Sequence, residues 1–244
     1  MRIFIDAGHN DKNVDTGAVG NGLREQDVTL DIAQLLGKKL AAVGIDVKQS
    51  RHNKTDVIGS TLSESLSKRA KMANELKADL FISLHCNAHA NVIAKGTEVY
   101  AYSTNSKGYP LAKKVCDSIC KRLGTTNRGA KTTNYTVLKK TTMLAILVEI
   151  AFITNASDAA LLKSKKEDFA SAICEAVCEH YGIKTKSKKL ESAKDIIGEL
   201  MNGKLKVQIS EVDKAVQALE EAKKLNNSLY WILYKIANGE EKND

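Results

Sequence analysis

Four residues of this chain have the types and settings from which a hydrolytic metal site is built. His9 ends the run Ile3-Phe4-Ile5-Asp6-Ala7-Gly8-His9, and His85 ends Leu80-Phe81-Ile82-Ser83-Leu84-His85. Both runs read as buried strands, and in a parallel α/β sheet ligands gather at the carboxyl ends of strands. Glu25 stands just before an amphipathic segment that begins near Thr29, and Glu149 lies inside the apolar run 144–153. An ionised carboxylate in such a run is costly unless it meets a cation, a metal or hydrogen-bond donors. Singly, each residue has an ordinary structural reading: a hydrogen-bonded histidine at a strand end, a charge at a helix start, half of an ion pair. Together, His9, Glu25 and His85 form the set of two histidines and one glutamate with which zinc keeps a fourth position open for water. One zinc per chain is expected, with Glu149 as the separate carboxylate that takes a proton from that water. Strand alternation adds that Cys86 points to the opposite face and is no ligand, whereas Asn87 returns to the face of His85 and lies beside the site.

Apolar runs at 3–6, 45–49 and 80–84 alternate with amphipathic segments at 29–43 and 62–76. That rhythm is βαβαβ, which predicts a mostly parallel, twisted α/β sheet with helices on both faces. Further segments follow at 97–102, 109–123, 135–138, 144–150 and 169–181. The pattern changes at Gly182-Ile183-Lys184-Thr185-Lys186-Ser187-Lys188-Lys189, which lacks apolar periodicity. The sequence therefore divides into a main domain over 1–183, a linker over 184–189 and a small all-α domain over 190–244. Three helical stripes in that last part suit self-association or packing on the main domain. Its aromatic cluster, Tyr230, Trp231 and Tyr234, reads more readily as core or contact surface than as a sugar platform, because Trp231 lies about 100° around the helix from Tyr230.

The 244 residues include 43% apolar and 27% charged positions and a single proline, which excludes fibrous and low-complexity classes. No apolar run approaches the roughly 18 residues of a membrane span, so membrane insertion is not expected. Residues 1–6 meet an acidic residue after three apolar ones and do not read as a secretory leader. The five cysteines include two pairs at four-residue spacing, Cys116/Cys120 and Cys174/Cys178, on helix-like segments with no histidine to complete a metal site. They read as small buried hydrophobes in a reducing compartment. Formal net charge is +8, and +7 of it lies in residues 1–184. An anionic polymer, whether nucleic acid or a bacterial wall, would attract such a chain, but no nucleic-acid-binding motif accompanies the scattered lysines.

The motifs Asp6-Ala7-Gly8-His9, Asp15-Thr16-Gly17-Ala18, Glu25, the helix over 69–74 leading into Ser83-Leu84-His85-Cys86-Asn87-Ala88, and Val148-Glu149-Ile150-Ala151-Phe152-Ile153-Thr154-Asn155 occur in an order and spacing that resembles the amidase-3 family. These are zinc-dependent N-acetylmuramoyl-L-alanine amidases, and the likeness covers about residues 2–181. Matched by position, the resemblance implies His9, Glu25 and His85 as zinc ligands, Glu149 as catalytic acid/base and Asn87 as a substrate-positioning residue. It implies bacterial peptidoglycan as partner and substrate, with no nucleic acid involved. Without a secretory leader, such a hydrolase is expected to be made in the cytoplasm and to reach the wall after release, as a phage endolysin does. A sporulation or host autolysin of the same chemistry is the alternative, and a non-catalytic wall-binding relative is a further one. Asn10 replaces a usual glycine, Cys86 a usual alanine and Ala151 a frequent glycine; these departures bear on the shape of the groove wall.

Overall fold

The computed structural model describes residues 1–11 and 14–183, so the expected linker and the three-helix domain lie outside the described residues. In chain order the elements are β1 (Arg2–Ala7), β2 (Val19–Gly20), β3 (Leu23–Arg24), α1 (Glu25–Ala42), β4 (Asp46–Gln49), α2 (Leu62–Glu75), β5 (Leu80–Asn87), β6 (Thr97–Ala101), α3 (Gly108–Leu123), β7 (Asn127–Thr132), α4 (Thr136–Lys140), β8 (Leu144–Phe152), α5 (Ala156–Ser164) and α6 (Lys166–Tyr181). Six strands form one sheet in the order β4-β1-β5-β8-β6-β7, and β2 and β3 form a two-residue-deep hairpin apart from it. All neighbouring pairs of the large sheet are parallel except β6 with β8. The mostly parallel α/β sheet read from the sequence is therefore present.

Strand alternation sorts the side chains into two cores. Ile3, Ile5 and Ala7 of β1 join Leu36 and Leu40 of α1, Leu111 and Val115 of α3, and Phe169 and Ile173 of α6 on one face. On the other face Phe4 stacks on Phe81, ring centroids 5.9 Å apart, and packs with Ala73 of α2 and Val137 and Leu138 of α4. The central strands are buried on both faces, which is why they read as unbroken apolar runs. No helix among the described residues is long and apolar enough to cross a membrane.

One start differs from the sequence reading, and the other falls at the expected residue, Leu62. Helix α1 begins at Glu25 rather than near Thr29, because Glu25 and Asp27 suit the positive end of the helix dipole and the Glu25 N–H is satisfied by the Ala18 carbonyl at 2.9 Å. Glu25 is thus the first residue of a rigid element. Helix α2 opens with Thr61, whose hydroxyl accepts from the Glu64 N–H at 3.2 Å, while the Glu64 carboxylate accepts from the Ser60 N–H at 2.8 Å.

Candidate functional site

The chain leaves β1 through a tight turn in which His9 has φ 66, a left-handed conformation that is costly for a residue with a β-carbon. Two buried arginines hold that turn. Arg51 donates to the carbonyls of Ala7 (3.2 Å) and Gly8 (3.1 Å), and Arg69 donates to those of Ala7 (2.8 Å) and His9 (2.6 Å). Thr29 of α1 adds a hydroxyl to the Gly8 carbonyl at 2.9 Å. Arg69 is paired with Asp6 at 2.6 Å, both fully buried, and the guanidinium keeps the Asp6 carboxyl below its usual range although burial pushes the other way. Gly8 has a steric reason to be glycine: a β-carbon there would stand 2.5 Å from both Cε1 of His85 and the Leu84 carbonyl oxygen. The turn can therefore lie directly under the His85 ring.

His9, Glu25 and His85 converge. Their ligand atoms lie within 4.8 Å of one another. His9 Nε2 is 3.0 Å from Glu25 Oε1, and His85 Nδ1 is 3.0 Å from His9 Nε2 and 3.2 Å from Glu25 Oε1. Asp15 Oδ1 accepts from His9 Nδ1 at 3.0 Å, so that in the neutral imidazole the Nε2 lone pair is aimed at the other two residues. Asp15 is itself held by the Ser65 hydroxyl at 2.9 Å. The Glu25 carboxylate accepts backbone N–H groups from Cys86 (Oε1, 2.8 Å) and Ala18 (Oε2, 2.8 Å). Burial opposes charge on His9, but Asp15 and Glu25 outweigh it and lift the imidazole to about 9. Burial likewise opposes charge on Glu25, and the two histidines hold it far below the usual carboxylate range. Two ring nitrogens and one carboxylate oxygen meeting at a point, from the braced turn after β1, the first residue of α1 and strand β5, fit a tetrahedral zinc with one side open.

That open side is a cleft of about 500 Å³, lined by His9, Glu25, His85, Asn87, Tyr135 and Glu149 among others. Glu149 on β8 is directly opposite His85 on β5. Its Oε2 is buried without a hydrogen-bond partner. Burial raises the carboxyl to about 7, and the nearby Glu25 and Glu98 add to the effect against His85 and His9. Cys86 is 3% exposed and packs in the core on the far face, as alternation required. Asn87 lies beside the site, with its Nδ2 on Glu98 Oε1 at 2.7 Å and its Oδ1 accepting from the Ala88 N–H at 2.9 Å.

Of the three departures, only Cys86 borders the cleft, while its side chain packs in the core. Asn10 is buried beneath it, bonded to the Ile58 backbone and to Arg69, and Ala151 is core, so neither shapes the groove wall as expected. Asp15 entered the sequence reading only as part of a motif, and Arg51 and Glu98 not at all. Glu98, at 3% exposure in the strand Thr97–Ala101, carried the same signal as Glu149, a carboxylate within a strand-forming run.

Residues 3–179 match the family model described as N-acetylmuramoyl-L-alanine amidase. The chain belongs to that amidase family. It is 42% identical over 185 residues to the N-acetylmuramoyl-L-alanine amidase LytC of Bacillus subtilis, covering 73% of this chain and 35% of the relative, so it spans about a third of that protein's length. It is 37% identical over 194 residues to the endolysin of Bacillus phage SPP1, covering 76% of this chain and 68% of the endolysin. Among solved structures, the N-acetylmuramoyl-L-alanine amidase from Clostridium difficile 630 superimposes with a TM-score of 0.68 at 30% identity, over 75% of this chain and 97% of that one. The amidase relationship spans the whole described sheet and all four residues that meet in the cleft.

Proposed function

We propose that this chain cleaves the amide joining the lactyl carbonyl of N-acetylmuramic acid to the amine of L-alanine in bacterial peptidoglycan, with one zinc ion held by His9, Glu25 and His85. The observation that carries the reading is the convergence of those three ligand atoms within 4.8 Å on the floor of a cleft that Glu149 shares. Zinc at that point supplies Lewis acidity toward the scissile carbonyl and makes water acidic enough to attack near neutral pH. Glu149 would take a proton as water adds to the carbonyl carbon and forms the new C–O bond, and would then give it to the nitrogen as the C–N bond breaks and the amine departs. The products are a lactyl carboxylic acid and a free α-amine. A carboxyl raised to about 7 by burial serves both halves of that transfer. Asn87 has one Nδ2 hydrogen left after its bond to Glu98, and we assign it the positioning of the substrate. Residues 190–244 are proposed to target the chain to the wall or to let it self-associate.

The setting proposed is phage-type lysis of the wall after synthesis in the cytoplasm. Host wall turnover or sporulation would use the same chemistry, and an expression time course separates these settings. The enzymatic reading is tested by metal content together with free-amine release from purified peptidoglycan, on the wild type and on His85→Ala. About one zinc per chain, with amine release abolished by the substitution and no new reducing ends, supports it. Absence of both metal and amine release leaves a wall-binding protein.

A further inference from the structure

Glu149 has neighbours on both sides across the sheet. His85 of β5 is its partner on one side and Glu98 of β6 on the other. Beyond Glu98, β7 carries an extra residue, because Thr97 pairs with Asn127 and Val99 with Ala130. Gly129, at φ 81, permits this bulge, and bulges re-aim the side chains beside them. The consequence is that Arg128 and Lys131 both reach Glu98 Oε2, at 2.7 and 2.5 Å, while Tyr100 and Asn87 fill Oε1 at 2.8 and 2.7 Å. Glu98 is thereby held ionised, at about 2, against its burial.

Two cations on one carboxylate leave one positive charge in excess. They are also only partly used. Arg128 is 35% and Lys131 38% exposed. Arg128 spends Nε on Glu98 and rests 4.9 Å over the Phe152 ring, and among the described residues neither of its terminal nitrogens has a partner. A guanidinium anchored through Nε, partly exposed and with its terminal nitrogens unpartnered among the described residues, keeps the fork that binds a carboxylate in bidentate fashion. β7 is two strands from β8, which places this edge about 10 Å from Glu149 at the usual strand spacing. An extended peptide covers that distance in about three residues. The glycan of peptidoglycan is built of uncharged N-acetylhexosamines, whereas its stem peptide bears free carboxylates.

We propose that Arg128 and Lys131, oriented by Glu98, form a specificity subsite for a stem-peptide carboxylate two or three residues beyond the scissile amide. The proposal rests on the amidase reading above and assigns the β6–β7 edge of the sheet, beside the cleft, to the leaving-group peptide rather than to the sugar. The cations engage the substrate at a distance and take no part in proton transfer, so their loss weakens capture and not the chemistry at Glu149.

The test compares initial amine release from purified peptidoglycan before and after its free carboxylates are converted to amides with a carbodiimide and excess ammonia. The wild type should slow about tenfold on the amidated wall, the size expected for losing hydrogen bonds to a charged group. Arg128→Gln/Lys131→Gln should be slow on both walls and show little discrimination. To avoid stranding the Glu98 charge, the triple variant Glu98→Gln/Arg128→Gln/Lys131→Gln is measured beside it and must behave the same way, with thermal melting to confirm folding. Lys113→Gln/Lys121→Gln, which removes two charges from α3, should discriminate like the wild type, so that bulk charge attraction is separated from the subsite. Equal wild-type rates on the two walls, or discrimination that survives in the folded triple variant, overturns the subsite and leaves the amidase intact. No amine release by the wild type from untreated wall overturns the amidase reading, and the subsite with it.

Discussion

At the scale of single residues the decisive feature is a buried carboxyl with no partner. Glu149 Oε2 would be a liability in a purely structural strand, since a buried, unpaired acceptor costs about 1–3 kcal/mol. Glu149→Gln keeps the shape and removes the proposed base. It should retain metal and lose on the order of 10²–10⁴ in the rate of amine release. A stability signature goes with it. The Glu149 carboxyl lies at about 7 in the folded chain against 4.5 for an ordinary one, so between those values the folded state holds a proton that the unfolded state has lost. Wild-type stability must therefore fall as pH rises through that window, whereas the glutamine variant pays nothing. Metal-free Glu149→Gln should overtake the wild type by about 1–3 kcal/mol above pH 7 and match it near pH 4, as urea melts would show. Asp15 acts one shell further out by fixing the His9 tautomer. Asp15→Asn should lower zinc affinity about 10–100-fold in a chelator competition while leaving the fold intact.

At the scale of elements the site depends on how β1, α1, α2, β5 and β8 are tied together, and the most buried tie is Arg69 of α2 on Asp6 and the β1 turn. Arg69→Leu leaves Asp6 as a buried charge without its partner. Removing one member of such a pair costs about 3–5 kcal/mol, or roughly 6–20 °C in Tm for a domain of this size. Calorimetry on Arg69→Leu and on Asp6→Leu/Arg69→Leu checks the cause, since the double variant should recover part of the loss. These elements also show what was legible in the sequence. β1, β5 and β8 were, because strands buried on both faces become apolar runs, and His9, His85 and Glu149 could be placed from those runs. β7, Asn-Arg-Gly-Ala-Lys-Thr, was not. As an edge strand carrying cations that answer Glu98 across the sheet, it has neither an apolar run nor alternation, and a contact between residues 98 and 128 leaves no local trace. The hairpin Val19–Gly20 with Leu23–Arg24 is too short to carry any period. Arg51 was hidden for the same reason as β7: its partners are carbonyls of Ala7 and Gly8, far away in the chain.

At the scale of the molecule the question is how a chain of formal charge +8 engages a wall. If attraction came only from the scattered lysines of residues 1–184, it would be screened within about 10 Å at 0.1 M salt and would fade over the physiological range. A dedicated recognition surface in residues 190–244 would instead hold on through short-range contacts that salt hardly touches. The two sources therefore separate in one experiment. The full chain and a form ending at residue 184 are mixed with purified wall at about 50 and 300 mM salt, spanning the point at which the Debye length falls below 10 Å. The full chain should sediment with the wall at both concentrations. The shortened form should do so only at the lower one, and should release amine from soluble muramoyl peptides at the unchanged rate, because every residue in the cleft lies before Ile153. Equal sedimentation of both forms at high salt would sink the targeting role and move wall recognition into the cleft domain, where the Arg128 and Lys131 edge would be the first place to look.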